Sequence, residues 1–298
     1  MFTSRFGSSG RIVEVDYSAL EVVALASISG DKNLLAQLLA GTDMHCYRLA
    51  GGLNESYDTV YEKCHNKDHP DHKMYKQLRT DVKPKAFSAQ YGASAMGIAY
   101  STGCTKEEAQ EFLDTEKELF PESSTYAERV VRPEVERAGL EGKLESEFYE
   151  GRRELYRRGF FQAKGGTCYS FRQFPKRLRG KLIYDYKSTQ LSNYWCQGEA
   201  SFIVQVACGR LVYELLKYPE YLDGNVLIIN TVHDAIYLDC ATEELAIKFG
   251  KITKSIMEST PKYMAELIPA YKDWNYHTTP FGAEAEFGKD MMNKASIK

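Results

Sequence analysis

The sequence predicts an α+β protein in which one antiparallel sheet is interrupted by a large helical insertion. Strand-like apolar runs lie near both ends of the chain, at residues 11–16 and 226–240. The long stretch between them consists mostly of helix-length segments with apolar residues at helical spacing. The sheet is therefore expected to form from the two ends of the chain, with the helical middle inserted between them.

The composition limits the classes of protein that need to be considered. The chain has 298 residues, which predicts roughly two domains, and a formal net charge of −3, so any surface for nucleic acid has to be a local patch. Seven cysteines at irregular spacing disfavour a disulfide framework and predict reduced thiols in a cytosol-like compartment. No apolar run is long enough to span a membrane, so no membrane partner is expected.

The first strand is predicted at residues 11–16, an apolar run that ends at Asp16. Ser18, followed by Glu21 three residues later, has the spacing of a capping box and predicts that a helix begins there. The N-terminal strand is thus expected to lead directly into a helix.

The helical middle begins with short elements. Asp31 and Asp43 are each expected to cap a short helix, and the polar residues 54–72 are predicted to form a loop. Residues 73–100 are predicted to be largely helical. Pro84 lies inside this segment and is expected to kink the helix or to mark a helix start near residue 82.

Further helices are predicted at residues 105–118 and 124–141, separated by Pro121. Residues 159–175 contain several glycines and are predicted to be a loop or a hairpin. A long helix is then expected at residues 188–216.

The C-terminal part returns to the sheet. Residues 226–230 and 235–240 are predicted to be two strands of a hairpin, joined by residues 231–234. A helix is expected from residue 242 to about residue 259, and a last strand at residues 283–287.

Residues 152–187 form a basic and aromatic segment, with eleven arginines or lysines against two acidic residues. Cations neutralise phosphates and aromatic faces stack on bases, so the segment is a candidate surface for nucleic acid. The alternative is a solvated charged face that covers ordinary core aromatics.

Two aspartates, Asp16 and Asp234, each stand where a predicted buried strand ends. A single aspartate at such a place is often only a cap or a turn residue. Carboxylates from two neighbouring strands, however, can hold a pair of divalent metal ions. We therefore expect these two residues to meet although they are far apart in the chain.

A second set of candidate residues lies between the two aspartates. Arg79, Lys83, Phe87 and Tyr91 recur every four residues, share one helical face, and are followed by Gly92. A solvent-exposed stripe would explain the two cations but not the two aromatic rings. Cations at one end and rings at the other match a nucleoside triphosphate, and with the aspartates they predict phosphoryl transfer on a nucleotide.

Five motifs occur in the order found in family A DNA polymerases, the family of bacterial DNA polymerase I and related phage replicases. They are Asp16-Tyr17-Ser18-x-x-Glu21, Asp43-Met44-His45, Arg79-x3-Lys83-x3-Phe87-x3-Tyr91-Gly92, Asn193-x3-Gln197-Gly198 and Val232-His233-Asp234. The chain resembles this family from about residue 11 to residue 289. The resemblance implies a DNA-directed DNA polymerase that adds deoxynucleoside triphosphates to the 3′-hydroxyl of a DNA primer-template with two Mg²⁺ ions.

The resemblance also implies a right-hand polymerase fold and a division into domains. Residues 1–28 and 183–298 match the palm, which holds the catalytic sheet, and residues 29–182 match the fingers, with the nucleotide-binding helix at about 73–100. Few residues precede the first motif, so the thumb is expected to be missing. We expect a split, phage-type polymerase in the cytoplasm of a bacterium or of an infected host cell, in which a second polypeptide supplies the thumb and, as often in the family, a 3′–5′ exonuclease. The alternative is that the sequence is one piece of a longer gene product interrupted by an intron or by cleavage. The strand at residues 11–16 would then lack one sheet neighbour.

Individual roles follow from the resemblance as well. Asp16, Asp234 and the Tyr17 carbonyl match the metal ligands, and Lys83 matches a proton donor to pyrophosphate. Residues that match nucleotide contacts are Glu21, His45, Arg79, Lys83, Phe87 and Tyr91, of which Glu21 is the gate against a ribose 2′-hydroxyl. Residues that match primer-template contacts are Tyr91, Gly92, Asn193, Gln197 and His233.

The chain departs from the family pattern at several positions. Ala19 replaces a polar residue, and Thr189 stands where many relatives have arginine. Ala235 replaces the acidic residue that usually follows His-Asp, so a third carboxylate near the metals is expected to be missing.

Two other functions use some of the same features. A polymerase-derived accessory subunit could bind DNA or a replication protein without catalysis, although it would not need the metal aspartates. A metal-dependent nuclease also uses paired aspartates, but it has no need of Glu21 or of the face from Arg79 to Tyr91.

A separate group of possible metal ligands lies at Cys64, His65, His69 and His72. Cysteine and histidine at short spacing can bind zinc, but no second cysteine pair is present. A solvated connection without metal is the alternative.

Overall fold

The computed structural model describes residues 3–149 and 151–297 and confirms the α+β class with antiparallel sheets. In chain order its elements are β1 (Arg11–Tyr17), α1 (Leu20–Ser29), α2 (Lys32–Leu39), α3 (Met44–Leu53), α4 (Tyr57–His65), α5 (His72–Gln90), α6 (Ala95–Thr102), α7 (Lys106–Leu119), α8 (Pro121–Tyr126), a π-helical turn (Ala127–Val131), α9 (Arg132–Glu141), β2 (Leu144–Tyr149), β3 (Arg152–Gln162), β4 (Cys168–Leu178), β5 (Lys181–Tyr186), α10 (Ser188–Leu215), α11 (Pro219–Leu222), β6 (Val226–Val232), β7 (Ala235–Cys240), α12 (Glu243–Leu267), a 3₁₀ turn (Pro269–Lys272), β8 (Ala283–Gly288) and β9 (Lys294–Ser296).

The chain divides into two compact units. The sheet unit comprises Met1–Ile28 and Gln197–Lys298, and the insertion unit comprises Ser29–Cys196. The first boundary coincides with the end of the first predicted palm segment. The second boundary lies within α10, whereas the sequence places it before that helix.

The sheet unit contains a five-stranded antiparallel sheet in the order β6-β7-β1-β8-β9. Side chains alternate along β1, where Val13 and Val15 are buried while Glu14 and Asp16 are only half-buried. Helix α12 packs against β1, β7 and β8 and covers the apolar face. Because β1 pairs with β7 on one side and β8 on the other, the expectation that it lacks a sheet neighbour is wrong.

The hairpin of β6 and β7 has a shorter connection than the sequence predicts. Strand β6 continues to Val232, which pairs with Ala235, so only His233 and Asp234 form the turn. His233 has a φ of 54°, a left-handed conformation at a turn position that favours glycine. The two-residue turn brings Asp234 back to the end of the sheet, beside β1.

Other elements of the sheet unit differ in their limits. Helix α12 extends to Leu267, beyond the predicted end near residue 259, and β9 was not predicted. Helix α1 begins at Leu20, so the predicted cap Ser18 lies one residue too early. The Ser18 backbone N–H donates to the Gly282 carbonyl oxygen at 2.9 Å.

In the insertion unit, the prediction of a loop at residues 54–72 is wrong, because α4 occupies much of it. Ser56 caps this helix by accepting a hydrogen bond from the Thr59 N–H at 3.2 Å. Val60 and Cys64, one turn apart, pack in a buried cluster with Tyr75 of α5. Val60 and Cys64 are the buried residues of α4, which is too few for the sequence pattern to show a helix.

Helix α5 begins at His72 and continues through Pro84, so a helix start near residue 82 is not found. It ends at Gln90, and α6 resumes the helix at Ala95, so the segment 73–100 is largely helical as predicted but consists of two helices. Gly92 follows with a φ of +72°, and a β-carbon there would lie 2.4 Å from Ser192 Oγ and 3.0 Å from the Ser188 carbonyl oxygen. Glycine is therefore required both to end α5 and to let the chain pass closely by the start of α10.

A second antiparallel sheet, β2-β3-β4-β5, forms from residues 144–186. It confirms the hairpin alternative for residues 159–175, whereas β2 and β5 were not predicted. Among the described residues, none of the helices combines the length and apolar character needed to cross a membrane.

Candidate active site

Asp16 and Asp234 meet at one end of the five-stranded sheet. Asp16 pairs in register with Ala235, and the Tyr17 N–H donates to the Asp234 carbonyl oxygen at 3.4 Å. The two carboxylates lie close enough to interact directly. The predicted meeting of these distant residues is therefore observed, and it depends on the antiparallel pairing of β1 with β7.

The environment of Asp16 disfavours its charge. Burial and the neighbouring carboxylate of Asp234 raise the pKa of Asp16 to about 6. Its Oδ1 atom is buried and accepts no hydrogen bond from the described residues. A divalent cation would relieve the repulsion between the two carboxylates, and carboxylate and carbonyl oxygens are the ligands that Mg²⁺ prefers. The residues present therefore fit such an ion.

A cavity of about 390 Å³ opens beside Asp16. The residues that line it are Glu14, Asp16, Tyr17, Ser18, Ala19, Glu284 and Glu286. Lys294 forms ion pairs with both Glu14 and Glu286. The sequence analysis did not select these glutamates, although the alternating pattern Ala283-Glu284-Ala285-Glu286 indicates that both glutamates share one face of a strand.

The other predicted site residues of the sheet unit differ in how far their side chains are buried. The Tyr17 side chain is buried, and its hydroxyl donates to the Met257 carbonyl at 2.6 Å, so only the backbone of Tyr17 faces the site. Glu21 is half-buried in the first turn of α1, while Gln197 and His233 are exposed. Ala19 adopts a φ of 53° between β1 and α1.

In the insertion unit, Arg79 is held by an aspartate that the sequence predicted only as a helix cap. Asp43 caps α3 by accepting hydrogen bonds from the His45 and Cys46 N–H groups. The Arg79 guanidinium donates to the Asp43 carboxylate at 2.6 and 2.8 Å, and His65 Nε2 lies 3.2 Å from it. Burial would raise the pKa of Asp43, but the hydrogen bonds from Arg79 and the Cys46 N–H outweigh it and lower that pKa to about 2.

The remaining residues of the predicted nucleotide face are accessible. Lys83 is half-buried without an acidic partner among the described residues, and the Phe87 side chain is 53% exposed. Burial and the nearby charge of Arg48 together lower the pKa of His45 to about 4, so its imidazole is neutral at pH 7. Tyr91 lies just past the end of α5 and caps it.

Asn193 is half-buried on α10, and its Oδ1 accepts no hydrogen bond from the described residues. The predicted site residues thus divide between the units. Those of the sheet unit are Asp16, Tyr17, Glu21, Gln197, His233 and Asp234, and those of the insertion unit are His45, Arg79, Lys83, Phe87, Tyr91, Gly92 and Asn193.

The predicted zinc ligands do not come together in the described part of the chain. His69 Nδ1 accepts the Asp71 N–H, and the Cys64 thiol donates to the Tyr75 carbonyl. His65 instead joins Asp43 and Cys46, whose ligand atoms all lie within 4.8 Å of one another.

That alternative trio is explained without a metal. Both Asp43 oxygens are already engaged, one by two N–H groups of α3 and the other by Arg79. Burial raises the pKa of the Cys46 thiol to about 12, which disfavours the thiolate that zinc needs. We interpret the group as a helix cap joined to an ion pair.

The basic segment 152–187 is less available to nucleic acid than its composition suggests. Arg158 and Arg172 form ion pairs with Glu145 and Glu147, two residues of β2 that lie outside the counted segment. At the β4–β5 turn, by contrast, three cations are exposed without an acidic partner among the described residues: Arg177, Arg179 and Lys181. The side chain of Arg152 lies outside the described residues.

Comparison with known proteins places these features in a family. A family model described as DNA polymerase family A matches residues 1–289. DNA polymerase I of Bacillus caldotenax is 24% identical over 92% of this chain and 26% of its own length. The thermostable DNA polymerase I of Thermus aquaticus is 26% identical over 83% of this chain and 24% of its own length. The chain therefore spans about a quarter of these curated relatives.

A solved structure shares the fold. The POL domain of Pol1 from M. smegmatis, in complex with DNA primer-template and dNTP, matches with a TM-score of 0.60 and 19% identity. The match covers 97% of this chain and 41% of that one.

Proposed function

The chain belongs to DNA polymerase family A, and from this premise we propose that it forms the palm and fingers of a template-directed DNA polymerase. In this proposal the sheet unit is the palm and the insertion unit is the fingers. The reaction is attack of a primer 3′-hydroxyl on a deoxynucleoside triphosphate, with release of pyrophosphate.

The meeting of Asp16 and Asp234 at the end of the sheet carries the proposal. Two half-buried carboxylates repel each other, and a fold that keeps them adjacent without a cation loses stability at neutral pH. Neither residue has a lysine or arginine partner in an ion pair among the described residues. The arrangement is therefore best explained by cation binding.

Asp16, Asp234 and the Tyr17 carbonyl would hold two Mg²⁺ ions, which when bound supply positive charge for the attacking and leaving oxygens. The two carboxylates would be held beside each other because Asp16 lies in β1 and Asp234 ends the turn that leads into β7, the antiparallel neighbour of β1. The buried Tyr17 side chain anchors the strand end through its bond to Met257.

The nucleotide would bind along α5. Arg79 and Lys83 would contact the triphosphate, and Lys83 would give a proton to the leaving pyrophosphate. Neutral His45 would contribute a hydrogen bond rather than a charge. The exposed Phe87 ring offers a surface for the sugar, with Tyr91 beyond it at the nascent base pair.

Discrimination and template contacts involve the remaining predicted residues. Glu21 would exclude a ribose 2′-hydroxyl by its size and by the cost of desolvating its charge. Asn193 and Gln197 can donate to the minor-groove acceptors that all base pairs share, and His233 would lie at the primer end. The exposed cations of the β4–β5 turn would contact phosphates.

A primer-extension assay with Asp16→Asn tests catalysis. We expect this variant to lose extension while the chain still binds a fluorescent deoxynucleoside triphosphate, because α5 is unchanged. Lys83→Ala, the complementary control, should weaken nucleotide binding as well. Unchanged extension by Asp16→Asn would support the accessory-subunit alternative, and cleavage of DNA without extension would support a nuclease.

We further propose that extension needs a thumb carried by polypeptide beyond these residues, either a second chain or a further part of the same gene product. The share of its relatives that the chain spans supports this idea. Efficient primer extension by residues 1–298 alone, at physiological salt, would contradict it.

A further inference from the structure

We propose that Glu284 of β8 serves as the third carboxylate of the metal site, on the side of Asp16 opposite to Ala235. This inference rests on the proposed function, because it assigns a further residue to the same cation-binding site. It replaces the expectation that no third carboxylate is present.

The register of the sheet places Glu284 beside Asp16. In β1, Asp16 has two direct cross-strand neighbours, Ala235 of β7 and Glu284 of β8. Directly opposed residues point to the same face of a sheet, with β-carbons about 4.5–5.5 Å apart. Ala235 has no oxygen to offer in its side chain, so Glu284 is the carboxylate that flanks Asp16.

The charges around the cavity distinguish Glu284 from the two other glutamates that line it. Glu14 and Glu286 share the ammonium group of Lys294, whose side chain is only 16% exposed. Glu284 is exposed and has no cationic partner among the described residues. It is thus the one lining glutamate whose charge is not already compensated by Lys294.

The cavity itself joins the two carboxylates. Asp16 and Glu284 both line the cavity of about 390 Å³, together with Tyr17 and Ser18 at the end of β1. Asp16 Oδ1 is buried beside it without a hydrogen-bond donor. A cation at Asp16 would therefore have the Glu284 carboxylate within reach, either as a ligand or through one bound water.

The consequence is a division of roles on one sheet face. Lys294 neutralises the far glutamates, which keeps the total negative charge near Asp16 from becoming prohibitive. Glu284 adds the charge that two divalent ions require beyond Asp16 and Asp234.

Binding of Mn²⁺ to the chain, followed by electron paramagnetic resonance, tests the inference without any activity measurement. We expect Glu284→Gln to weaken Mn²⁺ binding about tenfold, the scale at which supporting carboxylates act in metal sites. Glu244→Gln is the matched control, since it removes the same charge from an exposed glutamate of α12. It should leave binding unchanged.

A second variant tests whether the carboxylate has to stand at position 284 or only beside Asp16. Adding Ala235→Glu to Glu284→Gln returns a carboxylate to the other flank of Asp16, and we expect it to recover most of the lost affinity. Because Glu284 is exposed, Glu284→Gln should fold normally, and circular dichroism checks this.

The outcomes separate this inference from the proposed function. If Asp16→Asn abolishes Mn²⁺ binding while Glu284→Gln matches Glu244→Gln, the role of Glu284 is overturned and the metal site stands. If Asp16→Asn binds Mn²⁺ as the wild type does, both the inference and the proposed metal site are overturned.

Discussion

Replacing Asp16 by asparagine should stabilise the metal-free protein at neutral pH. The reason is that burial and Asp234 raise the pKa of Asp16 from its ordinary 3.8 to about 6. Between these two pH values the unfolded chain loses the proton while the folded chain retains it. The wild type therefore loses stability as the pH rises from about 4 through about 6, whereas Asp16→Asn has no such loss.

The size of the effect follows from the same values. The difference between 3.8 and about 6 corresponds to about 3 kcal/mol as an upper limit, at roughly 1.4 kcal/mol per pKa unit. Asp16 is partly open to solvent, so screening reduces the effect, and we expect about 1–2 kcal/mol. Each kcal/mol raises the melting temperature by about 2–4 °C in a protein of this size class.

Thermal melts at pH 4, 5, 6, 7 and 8, with chelator present, measure the difference between variant and wild type. It should be near zero at pH 4, because asparagine resembles the protonated acid, and should reach its full value above pH 7. Asp223→Asn, at an exposed carboxylate after α11, is the control and should show no such trend. Millimolar Mg²⁺ should then stabilise the wild type and leave Asp16→Asn unaffected.

A stability difference that stays constant from pH 4 to pH 8 would refute this reasoning, because it would show that Asp16 is not held in an unfavourable charged state. Equal stabilisation of both proteins by Mg²⁺ would refute the link between that state and cation binding.

Four further predictions concern individual positions. Ala19→Gly should stabilise the protein by about 0.5–1 kcal/mol in urea denaturation, since Ala19 has a φ of 53°, and a loss of stability would contradict the assigned backbone conformation. Gly92→Ala should lower the free energy of unfolding by about 1–3 kcal/mol more than Gly103→Ala, because Gly103 has a similar φ of +76° but open space around it. Equal losses would show that the contact with Ser192 is not tight. Asp43→Asn keeps the helix cap but loses the charge beside Arg79, so the variant should be about 1–2 kcal/mol less stable than the wild type at pH 7. This loss of stability should shrink as the pH falls from about 4 towards about 2, and a pH-independent loss in denaturation would argue against the ion pair. The His45 imidazole should titrate near pH 4 in NMR spectra, and an inflection between pH 6 and 7 would show that it is not buried as described.

Local signals in the sequence predicted much of the fold. The apolar run up to Asp16, the long helix of α10 and the caps Asp31 and Asp43 were found because each depends on neighbouring residues. Helix α4 and strand β2 were missed, since few of their residues are buried and both are stabilised by contacts with neighbouring elements, α5 and β3. The glutamates of β2 explain why composition overestimated the free positive charge of the segment 152–187.

The sequence alone determined which residue types the site can use: two strand-end aspartates and a helical face with Arg79, Lys83, Phe87 and Tyr91. It could not determine which partners those residues have, because pairing across strands depends on register and not on spacing along the chain. Only the tertiary structure placed Asp16 between Ala235 and Glu284, tied Lys294 to the other two glutamates and held Arg79 against Asp43. A shift of one residue in any of these strand pairings would turn the carboxylates to the opposite face of the sheet, so the site depends on the assembled sheet.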